Sequence, residues 1–221
     1  MATIADKNHH VAVRYDSLAE SACCLSCGGA RDLARPVLGE ICIDLGSGRG
    51  TDALAMADEV GAQGHVYGVD AAEKMLARGR RDANKLGVEN VTFCAGTLDN
   101  TSLNAGIADV VISNCAINHA NDKEAVWREV FRVLKPGGRF VVSDIYSLRE
   151  VPKLYRDDPE AVAQCWAGAS TRDEYLATLA RVGFDAIEIL EESEPYKKGE
   201  IEVASWTVRG FRPEKKCCCC S

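Results

Sequence analysis

The stretch Asp44-Leu-Gly-Ser-Gly-Arg-Gly50 has the residue types to hold a small ligand. Gly46, Gly48 and Gly50 alternate, so the backbone can turn tightly and approach a ligand with no Cβ in the way, and Asp44 sets a carboxylate at the end of the apolar run Ile41-Cys-Ile43. Asp70 follows at about the 20-residue spacing expected for a carboxylate that holds ribose hydroxyls. The second reactive group is thiol: the chain has eleven cysteines. Cys42 lies between Ile41 and Ile43 and Cys94 ends another apolar run, so both read as small hydrophobes. Cys23, Cys24 and Cys27 stand in a loop that Gly28 and Gly29 keep from being a long helix. Cys24-x-x-Cys27 has half the spacing of a zinc site, but no second Cys-x-x-Cys or His-x-x-x-His follows.

Composition narrows what these groups act on. The 221 residues are 47% hydrophobic, enough for one α/β domain with additions. A net charge of −7 without a basic cluster argues against a nucleic-acid partner and favours a small-molecule substrate. No apolar run approaches the roughly 20 residues that span a bilayer, and the N-terminus lacks the apolar core of a signal peptide, so a cytoplasmic location with no membrane partner is expected. In that reducing compartment the thiols are expected to be reduced and available as soft ligands.

The elements that must position these groups alternate. After a strand at 40–45, Thr51–Val60 reads as a helix ended by Gly61, His65–Asp70 as a strand, 72–86 as a helix, and 91–94 and 109–113 as strands. A helix at 122–134, stopped by Lys135-Pro-Gly-Gly138, precedes a strand at 139–144. Such alternation predicts right-handed crossovers and a doubly wound, Rossmann-like sheet with ligands beyond the carboxyl ends of the strands. Residues 8–20 predict an amphipathic lid helix, 31–35 a helical turn, and 158–168 a small helical cap. Thr171-Arg-Asp-Glu174 has the form of a capping box opening a helix that Gly183 ends. Strands at 184–190 and 201–208, joined by a turn near Lys197-Lys-Gly199, predict a closing antiparallel hairpin. The expected division is lid and cysteine loop 1–35, ligand-binding core 36–146, cap and C-terminal sheet 147–211, and a mobile tail 212–221 ending in four cysteines.

Asp44 through Gly50, Val69-Asp70, Gly96-Thr-Leu98, Asp109 through Asn114 and Leu134-Lys-Pro-Gly-Gly138 follow in order the motifs of class I S-adenosylmethionine methyltransferases, over roughly residues 40–145. The acid precedes the glycines and Thr51 replaces a third glycine of the dinucleotide fingerprint, as in motif I of those enzymes. More specifically, Val111-Ile-Ser-Asn-Cys-Ala-Ile-Asn118, Ser143-Asp-Ile-Tyr146 and Gln164-Cys-Trp-Ala-Gly-Ala169 resemble the arsenite methyltransferase family. That family has cysteines at the positions of Cys115 and Cys165 and a Gly-Cys-Gly-Asn-Pro element at the distance of Ser26-Cys-Gly-Gly-Ala30, where Gly29-Ala30 replaces Asn-Pro.

The resemblance implies S-adenosylmethionine as cofactor, with Asp44 and the backbone of Gly46, Ser47, Gly48 and Gly50 at its methionine part and Asp70 at its ribose. It further implies Met75 and Leu98 beside adenine, Asp99 near adenine's polar edge, Thr97 and Asn114 in the same site, and Tyr15 in the lid. It implies As(III) held by Cys27, Cys115 and Cys165, with Cys23 and Cys24 as further candidates to pass arsenic inward or to form a disulfide when arsenic is reduced. Trivalent arsenic is soft and prefers thiolates. Three thiolates would leave its lone pair facing the sulfonium methyl, and a lone pair carries no proton, so no general base is required and positioning supplies the acceleration. This fits a site sequence around Cys115 in which His119 is the only nearby histidine. The implied partners are arsenite or its thiol conjugates and a glutathione- or thioredoxin-type reductant. Two rival readings are a methyltransferase of the same fold for another small molecule, with structural cysteines, and a non-catalytic metalloid-sequestering protein.

Overall fold

Alternating β-branched residues make Ile41-Cys-Ile-Asp-Leu45 a strand buried on both faces, and this β1 (Ile41–Leu45) lies in the middle of one sheet. The structure, a computed structural model, describes Val13, Tyr15 and residues 28–162 and 164–214. Val13 and Tyr15 are helical; the rest of the expected lid helix, Cys23, Cys24, Cys27 and the cysteines at 217–220 lie outside the described residues. After a short α1 (Ala30–Ala34), the core runs β1, α2 (Thr51–Val60), β2 (His65–Asp70), α3 (Glu73–Leu86), β3 (Val91–Ala95), β4 (Ala108–Asn114), a single 3-10 turn (Ile117–His119), α4 (Lys123–Val133) and β5 (Leu134–Ser147). Two four-residue helices, α5 (Lys153–Arg156) and α6 (Pro159–Val162), and a 3-10 turn (Trp166–Gly168) form the cap. Then come α7 (Arg172–Val182), β6 (Asp185–Glu192), β7 (Tyr196–Lys198) and β8 (Ile201–Phe211). Among the described residues no helix is long and apolar enough to cross a membrane.

The sheet order is β3-β2-β1-β4-β5-β8-β6, with β7 paired on β8. The first five strands are parallel, and β8 runs antiparallel to β5 and β6. This is the doubly wound α/β sheet expected, and its order reverses between β1 and β4. The carboxyl ends of β1 and β4 therefore diverge at a crevice, the place where ligands bind in such sheets. One apolar cluster around Trp127, Phe140, Tyr175 and Phe184 fills the face under α4 and α7, and another around Met56, Val66 and Ile112 fills the face under α2 and α3.

Local signals set most helix ends. Thr171 Oγ1 accepts from the N–H of Glu174 and Gly183 closes α7 in the left-handed conformation. Asp122 caps α4 in the same way, through the N–H of Ala125.

Three features differ from the sequence reading, each through long-range pairing. Strand β5 begins at Leu134, opposite Ala108, and residues 135–138 bulge out with Gly137 at φ +81. It continues to Ser147 because β8 pairs along it as far as Val203. The closing hairpin contains an extra strand, β7, and its turn lies after Lys198. Arg212, placed in the tail by composition, is anchored: its guanidinium donates to the carbonyls of Phe131 and Leu134 and stacks on the Phe131 ring.

Candidate active site

Where β1 and β2 end, the glycine loop folds back on the sheet. The N–H groups of Gly46 and Ser47 donate to the carbonyl of Val69 at 2.8 and 3.0 Å. Gly46 has φ +77, and a Cβ there would stand 2.5 Å from that of Ala116, so only glycine lets the loop pass the turn after β4. Asp70 ties the same loop to the next helix: Oδ2 accepts from the N–H of Gly48 and Oδ1 from that of Ala72, both at 2.8 Å. Asn114, ending β4, donates to Asp52 at 2.9 Å and accepts from the N–H of Ala30 at 3.3 Å, fixing the first turns of α2 and α1 against the strand.

These elements enclose a cavity of about 280 Å³. Of the residues singled out by sequence, Tyr15, Asp44, Gly46, Ser47, Gly48, Asp70, Leu98, Asn114 and Cys115 line it. Gly50 instead starts α2 over the Phe93 ring, Met75 is fully buried beside Ala72 with Tyr15 packed on the pair, and Thr97 is exposed in a turn closed by Asn100. The cavity also has Arg49, Asp52, Ala116 and His119 in its wall, four residues given no site role by sequence. Asp52 carried a signal, an acid in the first turn of the helix that follows the glycines.

The cavity wall is short of positive charge. Burial raises Asp44 well above the usual carboxylate range, and repulsion from Asp52 and Asp70 adds to it. Burial also raises Asp52, although Arg31 and the Asn114 amide oppose the rise. Three carboxylates on one wall suit a ligand that carries positive charge and hydroxyl donors.

Cys165 of the cap meets Cys115, the residue after β4, at the edge of this cavity. Cys115 has φ +52, and its N–H donates to the carbonyl of Ser143 at 2.8 Å, so the strand ladder turns sharply there. Cys165 has φ +70 and ψ −42, and the N–H of Trp166 reaches the carbonyl of Gln164 at 2.9 Å; Cys165 is thus the centre of a γ-turn of the strained, positive-φ kind. Non-glycine residues in the left-handed region are uncommon, and such strain gathers at functional sites. The Cys165 thiol lies 3.1 Å from the carbonyl oxygen of Cys115 and 3.2 Å from Nε2 of His119. This approach depends on Gly168, since a Cβ there would lie 1.9 Å from the carbonyl oxygen of Asn118. Cys115 also lines a second pocket, of about 450 Å³, whose wall includes Gly28, Gly29, Asp144 and Trp206.

By contrast, Cys42 is fully buried in β1, and burial pushes its thiol up to about 12. It is inert packing. Among the described residues no group of three or more His, Cys, Asp or Glu is placed to hold a metal ion; the third thiol expected by sequence, Cys27, lies outside them.

Comparison with known proteins agrees with this arrangement. A family model described as a methyltransferase domain matches residues 38–183. The chain is 40% identical over 170 residues to an arsenite methyltransferase of Halobacterium salinarum, covering 77% of this chain and 44% of that one. It is 33% identical over 201 residues to the human arsenite methyltransferase, covering 79% and 52%. It thus spans about half the length of the curated relatives it matches. The crystal structure of an arsenic(III) S-adenosylmethionine methyltransferase from Chlamydomonas reinhardtii superposes with a TM-score of 0.77 at 31% identity, covering 92% of this chain and 74% of that one. With the glycine loop, its two acids and the sheet order in place, the chain belongs to the class I S-adenosylmethionine methyltransferases and, within them, to the arsenite methyltransferase family.

Proposed function

We propose that this chain transfers a methyl group from S-adenosylmethionine to trivalent arsenic held by cysteine thiolates, the arsenic arriving as arsenite or a thiol conjugate. The observation that carries the reading is the meeting of Cys115 and Cys165, both at positive φ, beside the cavity that Asp44 and Asp70 line. Packing alone gives no reason to hold two cysteines in strained backbone at one cavity edge.

The residues present fit the cofactor. Burial holds Asp44 above its usual range, and a sulfonium and an ammonium group would relieve the repulsion from Asp52 and Asp70 that adds to it. The glycine loop leaves its backbone open to the methionine part, Asp70 retains lone pairs for ribose hydroxyls, and Leu98 gives the adenine an apolar wall. When bound, the sulfonium supplies the methyl group. Gly50 and Met75 support the loops around this site from behind, and Thr97 closes with Asn100 the turn that carries Leu98.

Cys115 and Cys165 bind the arsenic and set its lone pair toward the cavity, and Cys27 is the third thiolate. Support for Cys27 is that Gly28, its neighbour in sequence, lines the second pocket together with Cys115. Cys23 and Cys24 remain candidates for delivering arsenic to the site. An external thiol of the glutathione or thioredoxin type returns the thiols to the reduced state, which fits a cytoplasmic setting. Residues 36–146 hold the cofactor, and the cap within 147–211 brings the second thiol. No proton has to leave the arsenic lone pair, so alignment of the two sites supplies the acceleration.

The test is incubation of the purified protein with methyl-labelled S-adenosylmethionine and glutathione, with and without arsenite, reading products by mass. Methylated arsenic that appears only with arsenite is expected. Absence of methylated arsenic while the cofactor binds would overturn the reading.

A further inference from the structure

Cys115 belongs to two cavities at once, the cofactor cavity and the second pocket of about 450 Å³. Pockets of roughly 300–1,000 Å³ take a whole small molecule, and arsenous acid, one arsenic with three oxygens, would leave most of this one empty. Two of its residues form a buried hydroxyl pair. Ser143 Oγ and Thr207 Oγ1 lie 2.7 Å apart, and each residue is only 3% exposed. The pair has two hydrogens and one of them joins the two oxygens, so the other is left to donate to a ligand. Ser205 adds a third hydroxyl, 2.9 Å from that of Tyr196. Among the described residues of the wall there is no lysine, arginine or histidine. Of its three acids, Asp144 is turned onto Asn118, and Glu192 is engaged by Tyr146 and Arg172. Glu191 is left as the exposed charge of the pocket. The Gly28-Gly29 backbone runs between the hydroxyls and this carboxylate: a Cβ on Gly28 would stand 2.2 Å from that of Ser143, and one on Gly29 4.0 Å from Oε2 of Glu191.

We propose that the second pocket docks the thiol carrier that delivers arsenic to Cys115, and that it takes uncharged, hydroxyl-bearing thiols in preference to anionic ones. This deepens the proposed function and rests on reading Cys115 as an arsenic thiol. Size calls for more than arsenous acid, and the hydroxyls supply donors and acceptors for a polar, neutral carrier. A carrier with carboxylates, glutathione among them, meets the Glu191 charge with no described cation in the wall to answer it. Delivery is a thiol exchange at arsenic. The Cys115 sulfur attacks the arsenic of the conjugate, an S–As bond to Cys115 forms and one to the carrier breaks. The Cys115 hydrogen leaves on the carrier sulfur, so a free thiol departs and no electrons change hands. The arsenic then stands between the two cavities, with the carrier side in the second pocket and the cofactor side in the first.

Arsenic(III) is supplied as arsenite alone and as preformed complexes with 2-mercaptoethanol, with mercaptoacetate, its near-isosteric anionic counterpart, and with glutathione. Loading without cofactor is followed as protection of Cys115 from alkylation, read by peptide mass mapping, and methylation is measured in parallel. Each loading rate is divided by that of a free cysteine peptide, which removes the reactivity of the carrier itself. The 2-mercaptoethanol complex is expected to load about three- to tenfold faster than either anionic complex at low ionic strength, and the gap should narrow as salt is added. Glu191→Gln should narrow the gap and Glu191→Lys should reverse it; the residue is exposed, so both variants should fold. Ser143→Ala combined with Thr207→Val removes the hydroxyl pair and should slow loading from the 2-mercaptoethanol complex about fivefold, with thermal unfolding as a check on the fold. Equal loading from neutral and anionic complexes, a preference that Glu191→Lys leaves unchanged, or arsenite alone outpacing every complex overturns the carrier pocket while the arsenic reading stands. If no form of arsenic protects Cys115 and no methylated arsenic appears, the arsenic reading falls and the carrier pocket falls with it.

Discussion

The thiol of Cys165 lies 3.1 Å from the carbonyl oxygen of Cys115, a residue 50 positions earlier in the chain. Each is held in the left-handed region by a different device, Cys115 by the Ser143 carbonyl at the end of β4 and Cys165 by the γ-turn of the cap. The contact brings a strand end and an inserted cap to one cavity edge, and the chemistry proposed for the protein depends on it.

Cys115→Ser and Cys165→Ser are each expected to reduce arsenite methylation at least about 100-fold, since an alkoxide is a far poorer ligand for a soft centre. Serine keeps a hydroxyl beside Nε2 of His119, so S-adenosylhomocysteine affinity should stay within about twofold of wild type. Cys42→Val should leave methylation unchanged, because that thiol is buried in the sheet. Full turnover by both serine variants would remove the thiols from the site.

Asp70 accepts from two backbone N–H groups, those of Gly48 and Ala72. Asp70→Asn turns one acceptor oxygen into a donor facing an N–H, at a cost of about 1–3 kcal/mol. Cofactor affinity should fall at least about tenfold by calorimetric titration, with arsenite binding to the thiols retained.

Burial lifts Asp144 to about 6, although the Ile145 N–H and the charges of His119 and Lys123 oppose the rise. One carboxylate oxygen accepts from Asn118 and Ile145, and the other is buried with no hydrogen-bond partner. A carboxyl raised in the folded state stabilises the fold fully below its unfolded value near 4, and that contribution is lost as pH rises through about 6. Asp144→Asn should therefore flatten the pH dependence of unfolding free energy between about 4 and 6. The difference from wild type, measured by urea unfolding, should change by on the order of 2–3 kcal/mol across that window. Parallel curves would contradict it.

Gly168→Ala would drive a Cβ into the Asn118 carbonyl oxygen, a backbone atom that cannot swing aside. A loss of about 1–3 kcal/mol in unfolding free energy is expected, with methylation lowered more than cofactor affinity because the cap separates from the Cys115 edge. Equal loss of both would mean that the cap supports the whole cavity.

Local chemistry made much of this legible in advance. Helix ends at Gly61, Thr171 and Gly183 were readable because one residue and its immediate neighbours decide them. The same is true of the glycine loop and of the two acids that follow from strand ends. His119 was not assigned a role, because nothing within its own turn distinguishes a site imidazole from a packed one; its partners come from residues 46 and 104 positions away.

By itself the sequence determined the alternation of strands and helices, the open edge with Asp44 and Asp70, and the family, because periodicity, glycine conformation and motif order act over a few residues at a time. Only the tertiary structure decided which groups meet. The antiparallel pairing of β8 carried β5 on to Ser147, Gly168 let the cap approach backbone to backbone, and the cap brought the Cys165 thiol onto the Cys115 carbonyl. Each of these is a contact between distant segments, fixed by packing that no local pattern encodes.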